Sequence, residues 1–263
     1  MGRGLRSALG ALSVIATLAF CASASAAGGR AQPLTCTGVV EGGTYSSLTV
    51  PPEQDCFLTD ATVLGNANVE YASSLSLQDR GLIGGNMVVG DLASMGEDTG
   101  WVIDGSTVGN SAGTLSIEGT THSILANDTG VLALSSATVD GSIVSNKGTY
   151  GGPLASSAIH GSVLINATTA GNTGVAATWF IGDDDIDGNL VLTNNQSIED
   201  VFLNTIHQNL ICFGNNPPPY NGFLGLGNTV DGHSIGQCAT TNSPPPDSDA
   251  QSALKAQTAK LFH

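Results

Sequence analysis

The sequence is poor in basic residues. Seven Lys and Arg stand against 22 Asp and Glu in 263 residues, and between Arg80 and Lys255 the only basic side chain apart from histidine is Lys147. A polyanionic duplex needs a basic face to release its counterions, so nucleic acid is excluded as a partner, and anionic lipid is disfavoured for the same reason. Aromatics make up 5% of the chain. There is no C-x-x-C spacing and no phosphate-cradling loop, which removes support for a zinc site or a nucleotide site. Outside the ends, no long stretch of Ala, Leu, Glu and Lys recurs at helical period. No segment beyond Ala26 is apolar enough to span a bilayer.

The start of the chain, up to Ala26, is organised differently. Arg3 and Arg6 precede an apolar run from Leu9 to Phe20 and a small-residue stretch ending in Ala26, the order of a secretory signal. Export is expected, with 27–35 as a linker. A lipidated Cys21 is the alternative, opposed by the bulky Phe20 where small residues are usual. Loss of the leader removes two basic residues and no acidic ones, leaving five against 22, a net charge of −17.

Four cysteines then remain, an even number that reads as disulfides in an exported chain. Three connectivities exist. Cys36 with Cys56 and Cys212 with Cys238 is the natural choice, because each pair closes a local loop at one end of the body.

A short phrase repeats through that body: a branched aliphatic, any residue, glycine, then Asn or Ser, then alternating apolar positions. It reads Ile83-Gly84-Gly85-Asn86, Ile103-Asp104-Gly105-Ser106, Val139-Asp140-Gly141-Ser142, Ile159-His160-Gly161-Ser162 and Ile186-Asp187-Gly188-Asn189. Copies that begin at Val63, Ile83 and Ile103 are evenly spaced, and the wider interval from Ile103 to Val139 holds two shorter turns. A period of roughly 20 with strand-like alternation is the mark of a β-solenoid, since no single repeat can bury its own apolar face. The fold expected over 36–238 is all-β, a single parallel β-helix of roughly ten coils, on the order of 45–50 Å long, with a disulfide at each end. A β-sandwich would instead show hairpin turns. After Cys238 comes a Pro-rich linker and a short tail, 239–263, that could form a marginal helix.

In such a stack Ile103, Val139, Ile159, Ile186 and Ile206 line the interior, the glycine permits a bend, and the Asn or Ser bonds its equivalent one coil away. The residue after each aliphatic points outward. Asp140, His160, Asp187, His207 and Asp231 then form a surface ladder in which each imidazole lies about 5 Å from a carboxylate above and below, favouring its charged form. The plain alternative is a face that avoids stacking like charges.

Asp183-Asp184-Asp185-Ile186-Asp187-Gly188 resembles the first half of the D-x-D-x-D-G calcium loop, with Asn194 where the full motif carries Glu. Asp183, Asp185 and Asp187 would share one face of an extended strand and are candidate calcium ligands; otherwise this is a solvated acidic bulge. Beside it, Trp179, Phe180 and Asp184 are the candidate carbohydrate contact, unless the rings simply pack over the widened coil.

The repeat resembles the right-handed parallel β-helix superfamily that includes pectate lyases and polygalacturonases. The likeness implies architecture and handedness but no activity: the body offers Arg80 and Lys147 as its only bases for lyase chemistry, and the G-H-G and R-I-K phrases of polygalacturonases are absent. Asn209-Leu210-Ile211-Cys212-Phe213-Gly214-Asn215, followed by Gly227-Asn228-Thr229-Val230-Asp231-Gly232 and Gly236-Gln237-Cys238, is similar to the ends of small secreted actinobacterial proteins of unassigned role. Gamma-class carbonic anhydrases are β-helical too, but His160 and His207 lie two coils apart, too far to share a metal.

The expectation is a secreted, monomeric, non-catalytic structural or binding module that contacts an extracellular glycan or a cell-surface partner. The alternative is a polysaccharide-active enzyme, lyase or hydrolase, built on the acidic cluster with or without calcium.

Overall fold

The computed structural model describes residues 30–169, 178–219 and 226–240. The leader and the tail expected from sequence lie outside them. Every strand pairing is parallel, and about nine turns stack into one β-solenoid. A representative coil runs through Thr107–Asn110 on face A, Thr114–Ile117 on face B and Thr120–Thr121 on face C, then returns to face A one level on at Ile124–Asn127. The stack begins with Gln32–Thr35, inside the stretch expected as linker, because that strand pairs with Leu48 and Thr49 on the next coil.

The expected interior column is present. Ile103, Val139, Ile159, Ile186 and Ile206 occupy equivalent positions on face C and are buried, with Val163, Ile165, Leu190 and Leu192 inward on face A. The interval from Ile103 to Val139 does hold two coils. Thr121 pairs with Ile103 below and Val139 above, and its hydroxyl meets Thr107 Oγ1 at 3.1 Å, so a threonine fills an aliphatic rung by bonding within the core.

The role of the corner glycines differs from the expected bend. A Cβ on Gly105 would lie 2.5 Å from the Gly85 carbonyl oxygen, and one on Gly161 equally close to that of Gly141. Glycine stands here because successive backbones approach too closely for a side chain. The left-handed corners are instead filled by ordinary residues, including Asp128, Lys147 and Asn194 after face A and Ser136, Ser156 and Leu203 after face B, with φ from 53° to 58°. Such a conformation costs about 1 kcal/mol or more each and persists where surrounding structure over-determines it. The stacking supplies that constraint: the N–H of Lys147 donates to Asn166 O and that of Ser156 to Gly182 O, one coil on.

Polar ladders run up the corners. The N–H of Ser106 donates to Asn86 Oδ1, and that of Asn209 to Asn189 Oδ1, as the repeated phrase implied. Disulfides Cys36–Cys56 and Cys212–Cys238 tie the two ends. Loops of this size contribute about 3–4 kcal/mol each, and such bridges fit an oxidising compartment. Among the described residues no helix is long and apolar enough to cross a membrane.

Candidate functional site

Where face C ends, alternation sends the residue after each inward aliphatic to the outside. Its backbone fixes the register: the N–H of Asp140 donates to Thr121 O, His160 to Val139 O, Asp187 to Ile159 O, His207 to Ile186 O and Asp231 to Ile206 O, all between 2.9 and 3.1 Å. These five residues therefore stand over one another along one edge of the rod. Asp104 extends the edge below, its N–H donating to Ile83 O, but the corner at His122 is one residue shorter and its N–H donates to Gly105 O, so acid and imidazole alternate in register over the five rungs from Asp140 to Asp231. That coil escapes a reading based on the repeated phrase, because it opens with Thr121 and drops the glycine, leaving Ser123 at the corner position held by Ser106 and Ser142.

Two imidazoles engage carboxylates directly. His160 Nδ1 lies 3.5 Å from Asp140 Oδ1. His207 Nδ1 lies 2.8 Å from Asp231 Oδ2, and its Nε2 lies 3.1 Å from Asp185 Oδ1. The lower partner of His207 is thus Asp185 rather than the expected Asp187. Asp185 projects outward on strand Asp185–Ile186, directly beneath Thr205, within reach of the imidazole. With an acceptor at each ring nitrogen, His207 satisfies both only by carrying both protons. The hydrogen bond to Asp231, seconded by Asp185, accordingly raises its pKa above the usual histidine value.

The acidic stretch itself is split between inside and outside. Asp183 takes a left-handed corner with φ 60°, Asp184 points into the core, and Asp185 and Asp187 face solvent. The side chains expected to share calcium are not brought to a common point. Among the described residues, no group of three or more His, Cys, Asp or Glu side chains is placed to hold a metal ion.

The expected carbohydrate contact is also divided. Trp179 is 1% exposed, with Nε1 donating to Thr168 Oγ1 at 3.0 Å, while Phe180, its neighbour in strand Thr178–Gly182, faces outward. Period-2 alternation forces this: only one of two adjacent rings can be outside. Trp179 and Asp184 are therefore withdrawn from any surface contact, and Phe180 alone remains available.

Asp184 belongs to a sealed column. The N–H of Ser157 donates to Asp184 Oδ1 at 2.9 Å, the N–H of Asp184 to Asn204 Oδ1 at 3.0 Å, and the N–H of Asn204 to Asn228 Oδ1 at 3.1 Å. Asn204 Nδ2 also reaches Ile181 O, and Asn228 Nδ2 reaches Val201 O. Burial, abetted by the Asp183 charge and restrained by the Ser157 and Gly182 N–H groups, pushes the Asp184 carboxyl up to about 8.

Three further buried acids, Glu97, Glu199 and Asp200, sit on face B. Glu97 occupies the inward column between Leu77 and Ile117, and burial, with the Glu118 charge, pushes it up to about 9. Glu199 lies over Trp179, and burial raises it to about 7 against the pull of Asn195 and Ser197. The signal for Glu97 was present in the sequence: Ser94-Met95-Gly96-Glu97 aligns with Ser74-Leu75-Ser76-Leu77, which puts a carboxylate at a leucine position.

No family model, curated protein or solved structure matches the chain.

Proposed function

We propose that the protein is a secreted, non-catalytic binding module that holds a long rigid acidic edge against an extracellular glycan or a cell-surface partner. The leader expected over residues 1–26 supplies export, the repeat aligns the rod with right-handed parallel β-helices of the pectin-lyase type, and the terminal cysteine phrase aligns it with small secreted actinobacterial proteins. The observation that carries this reading is the five-rung alternation from Asp140 to Asp231. It repeats a carboxylate on every second coil, about 10 Å apart, and such a row suits a partner with its own regular spacing of hydroxyl or amino groups. The alternative, a polysaccharide-active enzyme built on Asp183 to Asp187, loses Asp184 and Trp179 to the core and keeps Asp185 and Asp187 at the surface.

A glycan array paired with a reducing-sugar assay tests the proposal. Binding that is lost when Asp140, Asp187 and Asp231 are changed together to Asn, with no sugar released, is the expected result. Release of reducing ends would replace this reading with an enzyme. Failure to bind any glycan or surface extract would sink it.

A further inference from the structure

Face A carries a feature that the acidic edge does not explain. Its outward position is aliphatic on eight successive coils, through Val88, Val108, Leu125, Val144 and Leu164 and on to Ile235, each paired in register with the next. Leu125 and Ile235 are 36% and 38% exposed. In a ladder, neighbours about 4.8 Å above and below hide the flanks of every side chain, so an exposure near one third is that of an open face.

The columns beside the stripe are neutral. On one side Asn110, Asn127, Asn146 and Asn166 form an amide ladder, with Asn146 Nδ2 donating to Asn127 Oδ1 at 3.3 Å. On the other, Asn86, Ser106, Ser142, Ser162, Asn189 and Asn209 stand at the corner. From Asn86 to Phe213 none of these three columns holds an ionisable side chain, although the chain carries a formal net charge of −15.

We infer that face A is a self-association surface whose occupant is a second copy of this chain, packed stripe to stripe. A partner must be apolar along its centre, amide-lined at its edges and repeat at the coil spacing, and face A of another molecule meets all three conditions. Two strongly acidic rods can approach through this face without opposing carboxylates. Full overlap requires a twofold axis near the middle of the stripe, between Val144 and Leu164, with the two rods antiparallel. A strip about 35 Å by 15 Å on each copy gives a total of roughly 1,000 Å², at the lower limit of a specific interface, so the dimer should dissociate on dilution. This surface lies apart from the acidic edge and does not depend on the function proposed for it.

Sedimentation velocity and light scattering on the full chain, from micromolar to millimolar concentration, test the inference. The wild type should sediment as a concentration-dependent dimer, and Val144→Lys/Leu164→Lys should be monomeric with an unchanged far-UV spectrum. The control Thr138→Lys, outward on face C, should still dimerise. As a check independent of those lysines, Leu164→Cys should give a covalent dimer on mild oxidation. A wild type that stays monomeric throughout would overturn the inference, as would a dimer that survives Val144→Lys/Leu164→Lys. Binding of a glycan to face A of a monomeric protein would overturn it too.

Discussion

Two of the polar columns that climb this rod, each adding one residue per coil, solve the same stacking problem in opposite ways. On the outside edge, Asp140, His160, Asp187, His207 and Asp231 alternate carboxylate with imidazole. Inside the corner between faces B and C, Ser157, Asp184, Asn204 and Asn228 are linked by N–H to side-chain oxygen bonds and are almost completely buried. Stacking puts a like position about 4.8 Å away in both cases. Water decides the rest. In solvent, ionisable side chains are tolerated, and an imidazole separates each carboxylate from the next. In the core, desolvation penalises any charge, so the column is built from amides and a hydroxyl, and its one acid is held neutral near pH 7. A protonated Asp184 presents an acceptor and a donor, the same pair of groups as the asparagines above it.

The largest effect should come from interrupting the inner column. Asn204→Leu leaves the Asp184 N–H and the Ile181 carbonyl without partners in the core, and should cost on the order of 3–5 kcal/mol in urea unfolding, nearly independent of salt.

Next is the pH dependence of the wild type. Glu97 rises from 4.5 to about 9 on folding and Asp184 from 3.8 to about 8. A carboxyl raised in the folded state contributes fully to stability below its unfolded pKa and loses that contribution as pH climbs to the folded value. His207, also raised, acts in the same direction, its contribution lost as pH rises through its folded pKa. The melting temperature should therefore fall steadily between about pH 4 and pH 9. Glu97→Gln should flatten that slope, with higher stability than wild type at pH 9 and little difference at pH 5. A flat wild-type profile would remove the neutral buried acids from the account.

A smaller effect is expected for Asp184→Asn, which extends the amide column by one rung. It should leave the fold and the stability at pH 5 close to wild type, and raise the melting temperature at pH 9. The smallest should be His207→Ala, an exposed rung. Its loss of stability should appear only below the histidine titration and fade with added salt, unlike any change in the inner column. NMR titration of the His207 ring should give a pKa above the model-peptide value.

The architecture was legible because its message is repeated: Ile103, Val139, Ile159 and Ile186 mark one interior column, and the residue after each names the outer ladder. The extra coil between Ile103 and Val139 was legible from spacing, but its rung residue was not, because a threonine paired with Thr107 can replace an aliphatic and hydrophobic pattern alone skips Thr121. Asp184 and Trp179 were assigned to the surface because a run of acids reads as solvated, whereas alternation beside a left-handed corner turns one of them inward. The stripe on face A was obscured by its own neighbours. Val163-Leu164-Ile165 is a continuous apolar run, which periodicity reads as a strand buried on both sides, and only the stacked coils show that Leu164 has nothing over it within the described chain.

The in-register parallel stack underlies every assignment above, and cysteine cross-linking tests it most directly. Thr138 and Ala158 are outward partners on adjacent coils, at a spacing that suits a disulfide. Thr138→Cys/Ala158→Cys should oxidise nearly completely while the protein stays folded, and Thr138→Cys/His160→Cys, with the second cysteine moved two positions along its strand, should not. Equal cross-linking of both pairs, or none in the first, would contradict the stack and every site drawn from it.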